Sequence, residues 1–289
     1  MGPRTVFSSF FPRSWGKTLR TPLVSLLTIG ALASGCSGGT GVIYVSTWAE
    51  DTVVEGMATD DGWDVQFESW VTTFGAVNLS NPDDDQVLVT EKGPWIADWA
   101  ASSTLIPMVA IETDAGERQR FGFTIVPMDA EPTAIVPVDA EIQSAMMEAG
   151  WSHHIVGTAS NGTEELSFAW GFPLSVAYSA CINGEDGTDG VTVDKEGSTA
   201  AQIWLHADHL LWSRLGTEEA ELAFGALAAA DADVDGEITI EELAAVDVVD
   251  AGYETGGVDV TNLYDFIAFS IAQMAHLNGG GTCTARNAG

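Results

Sequence analysis

From about residue 42 to 215, apolar side chains recur mostly at every second position, the period at which a half-buried strand turns one face to a core. The stretch "VIYVSTW" opens the series. In "GWDVQFESWVTTFGAVNL", Trp63, Val65, Phe67, Val71, Val77 and Leu79 share one parity while Asp64, Gln66 and Glu68 take the other, which predicts one long, bulged strand. Further strands are predicted at "LIPMVAIE", "RFGFTIVPM", "HHIVGTAS", "ELSFAWGFPLSVAYSAC" and "QIWLHADHLLW". Turn-rich stretches separate them, among them "SNPDDDQ", "TDAGER" and "NGEDGTDG". One short helix, at "DAEIQSAMMEAG", interrupts them. After Gly216 the period turns helical: Thr217 is a candidate N-cap, Glu218, Glu219 and Glu221 fill the first turn, and Leu222, Ala223, Ala226, Leu227 and Ala230 form a stripe. The expected fold is a mainly β N-terminal domain over 42–215, an antiparallel sandwich or barrel and not a βαβ fold, followed by a small α-helical module over 216–289.

That helix leads into "DADVDGEITIEE", Asp231 to Glu242. Read as a twelve-residue loop, it sets Asp231, Asp233 and Asp235 at positions 1, 3 and 5, Gly236 at 6, Glu237 at 7, Ile238 at 8, Thr239 at 9 and Glu242 at 12. A hard cation asks for six to eight oxygens, alternating carboxylates surround it, a glycine permits the sharp bend, and a terminal Glu closes the far side with both oxygens. At every defining position the stretch resembles an EF-hand calcium loop. The resemblance covers about residues 217–275 and implies calcium ligation by Asp231, Asp233, Asp235, Glu242, the Glu237 backbone carbonyl, and Thr239 directly or through water. It also implies a partner hand downstream. There "YETGGVDVTNLYDFI" offers Val258 and Val260 in a strand-like segment and Thr261 as the next N-cap, without alternating carboxylates, and reads as a non-binding half-hand.

At the N-terminus, Arg4, Arg13, Lys17 and Arg20 precede the apolar run "PLVSLLTIGALASGC", which is too short to span a bilayer. Residues 1–35 therefore read as a signal peptide. The run's end resembles a bacterial lipobox, with Ala33, Ser34 and Gly35 before Cys36, and this implies lipidation of Cys36 (a palmitate-type anchor), a tether over 36–41, and membrane attachment by lipid alone. Ser37 in place of Asp leans the expectation toward the outer membrane. With Cys36 allotted to lipid, Cys181 and Cys283 remain as a disulfide pair in an oxidising compartment.

Composition sharpens the picture. There are 42 acidic residues against 10 basic ones, a formal net charge of −32, and the signal peptide would carry away four of the basic ones. Such a surface repels nucleic acid and anionic membranes and favours cations as partners. With 46% hydrophobic residues the chain still has ample material for a core. The ten tryptophans suit a sandwich core better than a glycan- or peptide-binding platform.

A second constellation lies in "WLHADHLLW", where strand geometry would set His206 and Asp208 on one face with Trp204, and His209 one step beyond. Two imidazoles and a carboxylate within four residues have the chemistry to ligate Zn or Cu, and a Cys181–Cys283 bridge would deliver His276 to them. Neighbouring His153 and His154 would point to opposite faces of a strand. No G-x-S-x-G, H-E-x-x-H or glycine-rich phosphate loop occurs, so no enzyme signature is present. Two functions compete: an envelope lipoprotein that binds calcium through one EF-hand loop, with a sandwich of unknown protein or glycan ligand, and a transition-metal protein, carrier or metallohydrolase, built on His206, Asp208, His209 and His276.

Overall fold

The computed structural model describes residues 39–217 and 220–288. The expected signal peptide, Cys36, Glu218 and Glu219 lie outside them. In chain order the elements are β1 (Thr40–Ala49), α1 (Asp51–Glu55), β2 (Met57–Ala58), β3 (Asp64–Ser80), β4 (Val87–Asp98), β5 (Ile106–Asp114), β6 (Arg118–Ile125), β7 (Thr133–Ala134) and α2 (Ala140–Ala149). Then follow β8 (His153–Ser160), β9 (Glu165–Phe172), β10 (Val176–Ser179), β11 (Val191–Thr192), β12 (Ser198–Leu205), a 3₁₀ turn (Ala207–Leu211) and α3 (Gly225–Ala228). The chain continues through β13 (Glu237–Ile238), α4 (Ile240–Ala245), α5 (Leu263–Ile271), β14 (Ala275–Leu277) and β15 (Thr284–Asn287). The protein is mainly β. No helix of the described residues is long and apolar enough to cross a membrane.

An eleven-stranded sheet has the long strand β3 near its middle, flanked by β8 and β6, while a four-stranded sheet runs in the order β14-β12-β1-β5. As the parity of its apolar residues predicts, β3 buries Val65, Phe67, Val71, Val77 and Leu79. Its register with β8 shifts between Phe67 and Ser69, a bulge that lets Ser69–Phe74 bury side chains on both faces. Trp63, Trp70, Trp95, Trp99 and Trp170 are buried, so these five serve the core and form no exposed platform. The predicted helix forms as α2, with the Asp139 carboxylate accepting from Glu141 N and Gly150 in the left-handed region at its end.

Several expectations are corrected. The strand read over "ELSFAWGFPLSVAYSAC" is two, β9 and β10, broken at Pro173. The pairing is not wholly antiparallel: β1 runs parallel to β12, β4 to β7 and β13 to β9. Of the helix expected from Thr217, the described residues form one turn, Gly225–Ala228. Residues before it are captured by long-range partners: Ser213 N donates to Glu221 O, Leu222 N to the Asp60 carboxylate, and Phe224 N and Gly225 N to the Asp61 carboxylate. Val258 and Val260 form no strand, and the N-cap of α5 is Asn262 in place of Thr261.

The described residues form one compact unit, and one apolar cluster runs from Ile43 and Val45 of β1 through Phe168 and Trp170 to Phe224, Ile238, Leu243 and Phe266. Cys181 and Cys283 are bridged, closing a loop of sequence separation 102. On the chain-entropy account, closing a loop of this length contributes on the order of 4 to 5 kcal/mol. Beside the bridge the chain packs so closely that a Cβ on Gly281 would strike the carbonyls of Ile182 and Leu277.

Candidate metal-binding sites

The acidic loop follows α3 and is shaped by its own backbone. Asp231 accepts from Asp235 N at 3.2 Å and from Gly236 N at 3.0 Å, and Asp235 accepts from Glu237 N at 2.9 Å. Gly236 takes φ 88°, a conformation that glycine reaches without strain. Asp231, Asp233 and Asp235 each offer an oxygen within 4.8 Å of the others. Glu242 lies across the loop: Oε1 accepts from Ala232 N at 3.0 Å, and Oε2 from Thr239 N at 2.9 Å and Thr239 Oγ1 at 2.8 Å. Since Glu242 N also donates to Thr239 Oγ1, the two residues form the capping box of α4. These donors, the Thr239 backbone N–H first, hold the Glu242 carboxyl below its ordinary value.

The loop's partner is not the downstream segment. β13 pairs in parallel with β9, with Glu237 opposite Ser167 and Ile238 opposite Phe168. Ser167 N donates to Gly236 O at 2.9 Å, Ser167 Oγ reaches the same carbonyl at 3.2 Å, and Trp170 Nε1 donates to Ile238 O at 2.8 Å. The edge of the larger sheet thus occupies the place of a second hand. An open strand edge with unpaired backbone groups is a strong competitor, and nothing in the residues of 253–267 offers an equivalent edge.

The histidine cluster is assembled by two strand registers. In the parallel pair, Trp48 lies opposite Trp204 and Ala49 opposite Leu205, so Glu50 and His206 leave the ends of β1 and β12 side by side. In the antiparallel pair β12–β14, Trp204 lies opposite His276. Strand pairing therefore delivers His276, where the sequence assigned that task to the disulfide. The strand expected through His206, Asp208 and His209 stops at Leu205. A 3₁₀ turn takes over and folds His209 back, its N–H donating to His206 O at 3.3 Å.

The ring of His276 stands edge-on to that of His206 at 4.4 Å and to that of His209 at 5.9 Å. His206 Nδ1 contacts Glu50 Oε1 at 2.9 Å, and Glu50, His206 and Asp208 offer ligand atoms within 4.8 Å of one another. Trp212 Nε1 donates to Asp208 Oδ2 at 3.2 Å, and Trp212 stacks on His209 with centroids 3.6 Å apart. Asp208 Oδ1 and His276 Nδ1 are buried without a hydrogen-bond partner. Burial pulls His209 down to about 4, against the opposing charge of Asp208 and a contact with Ser270 O. Burial also pulls His276 down to about 4, reinforced by His206 and His209 and opposed by the Gln273 backbone. Burial acts on His206 too, but the Glu50 hydrogen bond and charge, with Gly279 O and Asp208 behind them, outweigh it and raise His206 above the ordinary histidine value. His206, Asp208, His209 and His276 line a cleft of about 540 Å³. Glu50 carries no sequence signal for this role, because 156 residues separate it from His206 and only the parallel register joins them.

His153 and His154 occupy separate environments. His153 Nδ1 meets Thr72 Oγ1 at 2.9 Å, and His154 stacks on Trp151 with centroids 5.2 Å apart. Comparison of the chain with models of known protein families, with curated proteins and with solved structures gave no match.

Proposed function

We propose that this is an exported, lipid-anchored protein of the bacterial envelope that binds calcium through the loop Asp231–Glu242. Its β portion is a curled sandwich of unidentified ligand, and the acidic loop with its flanking helices α3 and α4 is an EF-hand-like unit built into the same core. The observation that carries the calcium reading is the closure of the loop. Its first carboxylate accepts the N–H groups of positions 5 and 6, three Asp oxygens converge, and its last carboxylate bridges back to position 2. Hard oxygen donors in that order suit calcium better than softer ions. Thr239 is committed to the capping box, so its contribution runs through water, and Glu242 supplies the closing carboxylate. Calcium would neutralise like charges that otherwise repel across a few ångströms, and would lock β13 against β9.

A ligand that prefers the folded state stabilises it by RT ln(1 + [L]/Kd), about 2.7 kcal/mol at a hundredfold excess over Kd. Melting curves with millimolar calcium against chelator test the reading. The wild type should melt higher with calcium, and Glu242→Gln should lose most of that rise while its chelated form melts near the chelated wild type. Absence of both a wild-type shift and a calorimetric binding signal would overturn the calcium reading. Anchoring is tested separately: Cys36→Ala should move the protein from membranes to the soluble fraction.

A further inference from the structure

We propose that the cleft at the carboxyl ends of β1 and β12 is a second, chemically distinct metal site, which takes a borderline divalent ion, Zn²⁺ or Cu²⁺, through Glu50, His206, Asp208 and His276. The ligand atoms of Glu50, His206 and Asp208 already lie within 4.8 Å of one another. Ligands about 2.1 Å from a tetrahedral ion sit roughly 3.4 Å apart, so a small inward adjustment of these side chains closes the site.

Two further observations point to a cation. Asp208 Oδ1 and His276 Nδ1 are an oxygen and a nitrogen that are both buried with no partner, a costly arrangement unless something else binds them. A cation drawn between Glu50, His206 and Asp208 would satisfy the Asp208 oxygen, and His276 approaches the same place from β14, its ring 4.4 Å from that of His206. The surroundings are those of ligands held from behind: Asp208 is fixed by Trp212 Nε1 on its other oxygen, and His209, stacked on Trp212, is tied to Ser270 O. The mixed nitrogen and carboxylate set excludes the oxygen-only preference of calcium and so separates this site from the acidic loop. The cleft itself supplies the entry path.

The test uses the mature protein, stripped with chelator and dialysed against zinc with calcium in excess, so that the acidic loop is occupied. Elemental analysis should find one zinc per chain retained. His206→Ala and the near-isosteric Asp208→Asn should each reduce retained zinc at least tenfold, while the calcium-dependent rise in melting temperature stays as in the wild type. Glu242→Gln should keep the full complement of zinc, so failure of the calcium reading would leave this result untouched. Loaded with Cu²⁺ instead, the wild type should give an electron paramagnetic resonance spectrum with nitrogen hyperfine structure that His206→Ala alters. Substoichiometric zinc in the wild type, or full zinc in both variants, overturns the proposal.

Discussion

Val234 holds φ at 58° with a β-branched side chain that is 81% exposed, at position 4 of the acidic loop. The left-handed region costs such a residue roughly 1 to 2 kcal/mol, and here no burial offsets it. Val234→Asn, which suits that backbone, is expected to stabilise the protein by about 1 kcal/mol and raise its melting temperature by about 3 °C, measured with calcium chelated. His153 shows the opposite relation between side chain and setting. Burial lowers it from 6.5 to about 3, and its Nε2 has no partner. Above pH 6.5 it is neutral in both folded and unfolded chains and adds no pH dependence. Below that, the unfolded chain takes up a proton that the folded ring refuses, so stability falls by up to about 1.4 kcal/mol per pH unit as the pH drops toward 3. His154, also lowered by burial, and Glu242, held down by its backbone donors, act in the same direction. Denaturant titrations from pH 7 to 4 should show this decline, and a flat profile would contradict the buried neutral state.

At the scale of elements, the two-residue strand β13 joins the acidic loop to the larger sheet. Because Ser167 N donates to Gly236 O, ordering of the loop should be felt in β9. Hydrogen exchange at the Ser167 amide is expected to slow at least tenfold when calcium is added to chelated protein, with Phe121 in β6, remote from the loop, unchanged. Strand alternation made β1, β3, β5, β6 and β8 legible in the sequence, since each has one face in the core. β4 was not legible. Much of its length is exposed, and the charged pair Glu91 and Lys92 followed by Gly93-Pro94 sits in its middle, so no two-residue period marks it. The helix expected to enter the acidic loop departs from its pattern for the converse reason: the stripe of apolar residues is real, but the Asp60 and Asp61 carboxylates and the 211–213 backbone bind residues 221–225 in another form.

For the molecule as a whole, the acidic loop could be read position by position because its donors are contiguous in sequence. The histidine cleft could be read only in part, as His206, Asp208, His209 and His276. Glu50 joins them through the pairing of strands at opposite ends of the chain, and no local pattern announces a parallel neighbour. That pairing also fixes an order of events. β1 lies between β12 and β5, and β12 takes β14 as its outer neighbour. Contacts spanning so much chain close slowly, since the entropy of a large loop must be lost before they form. β1 can pair with β5 once residues 106–114 are present, but its other edge waits for residues 198–205 and that of β12 for residues 275–277, so a chain lacking either cannot assemble the cleft. Glu50, His206 and His276 first meet when the last register locks, so a metal ion held by the three would report a fully paired four-stranded sheet.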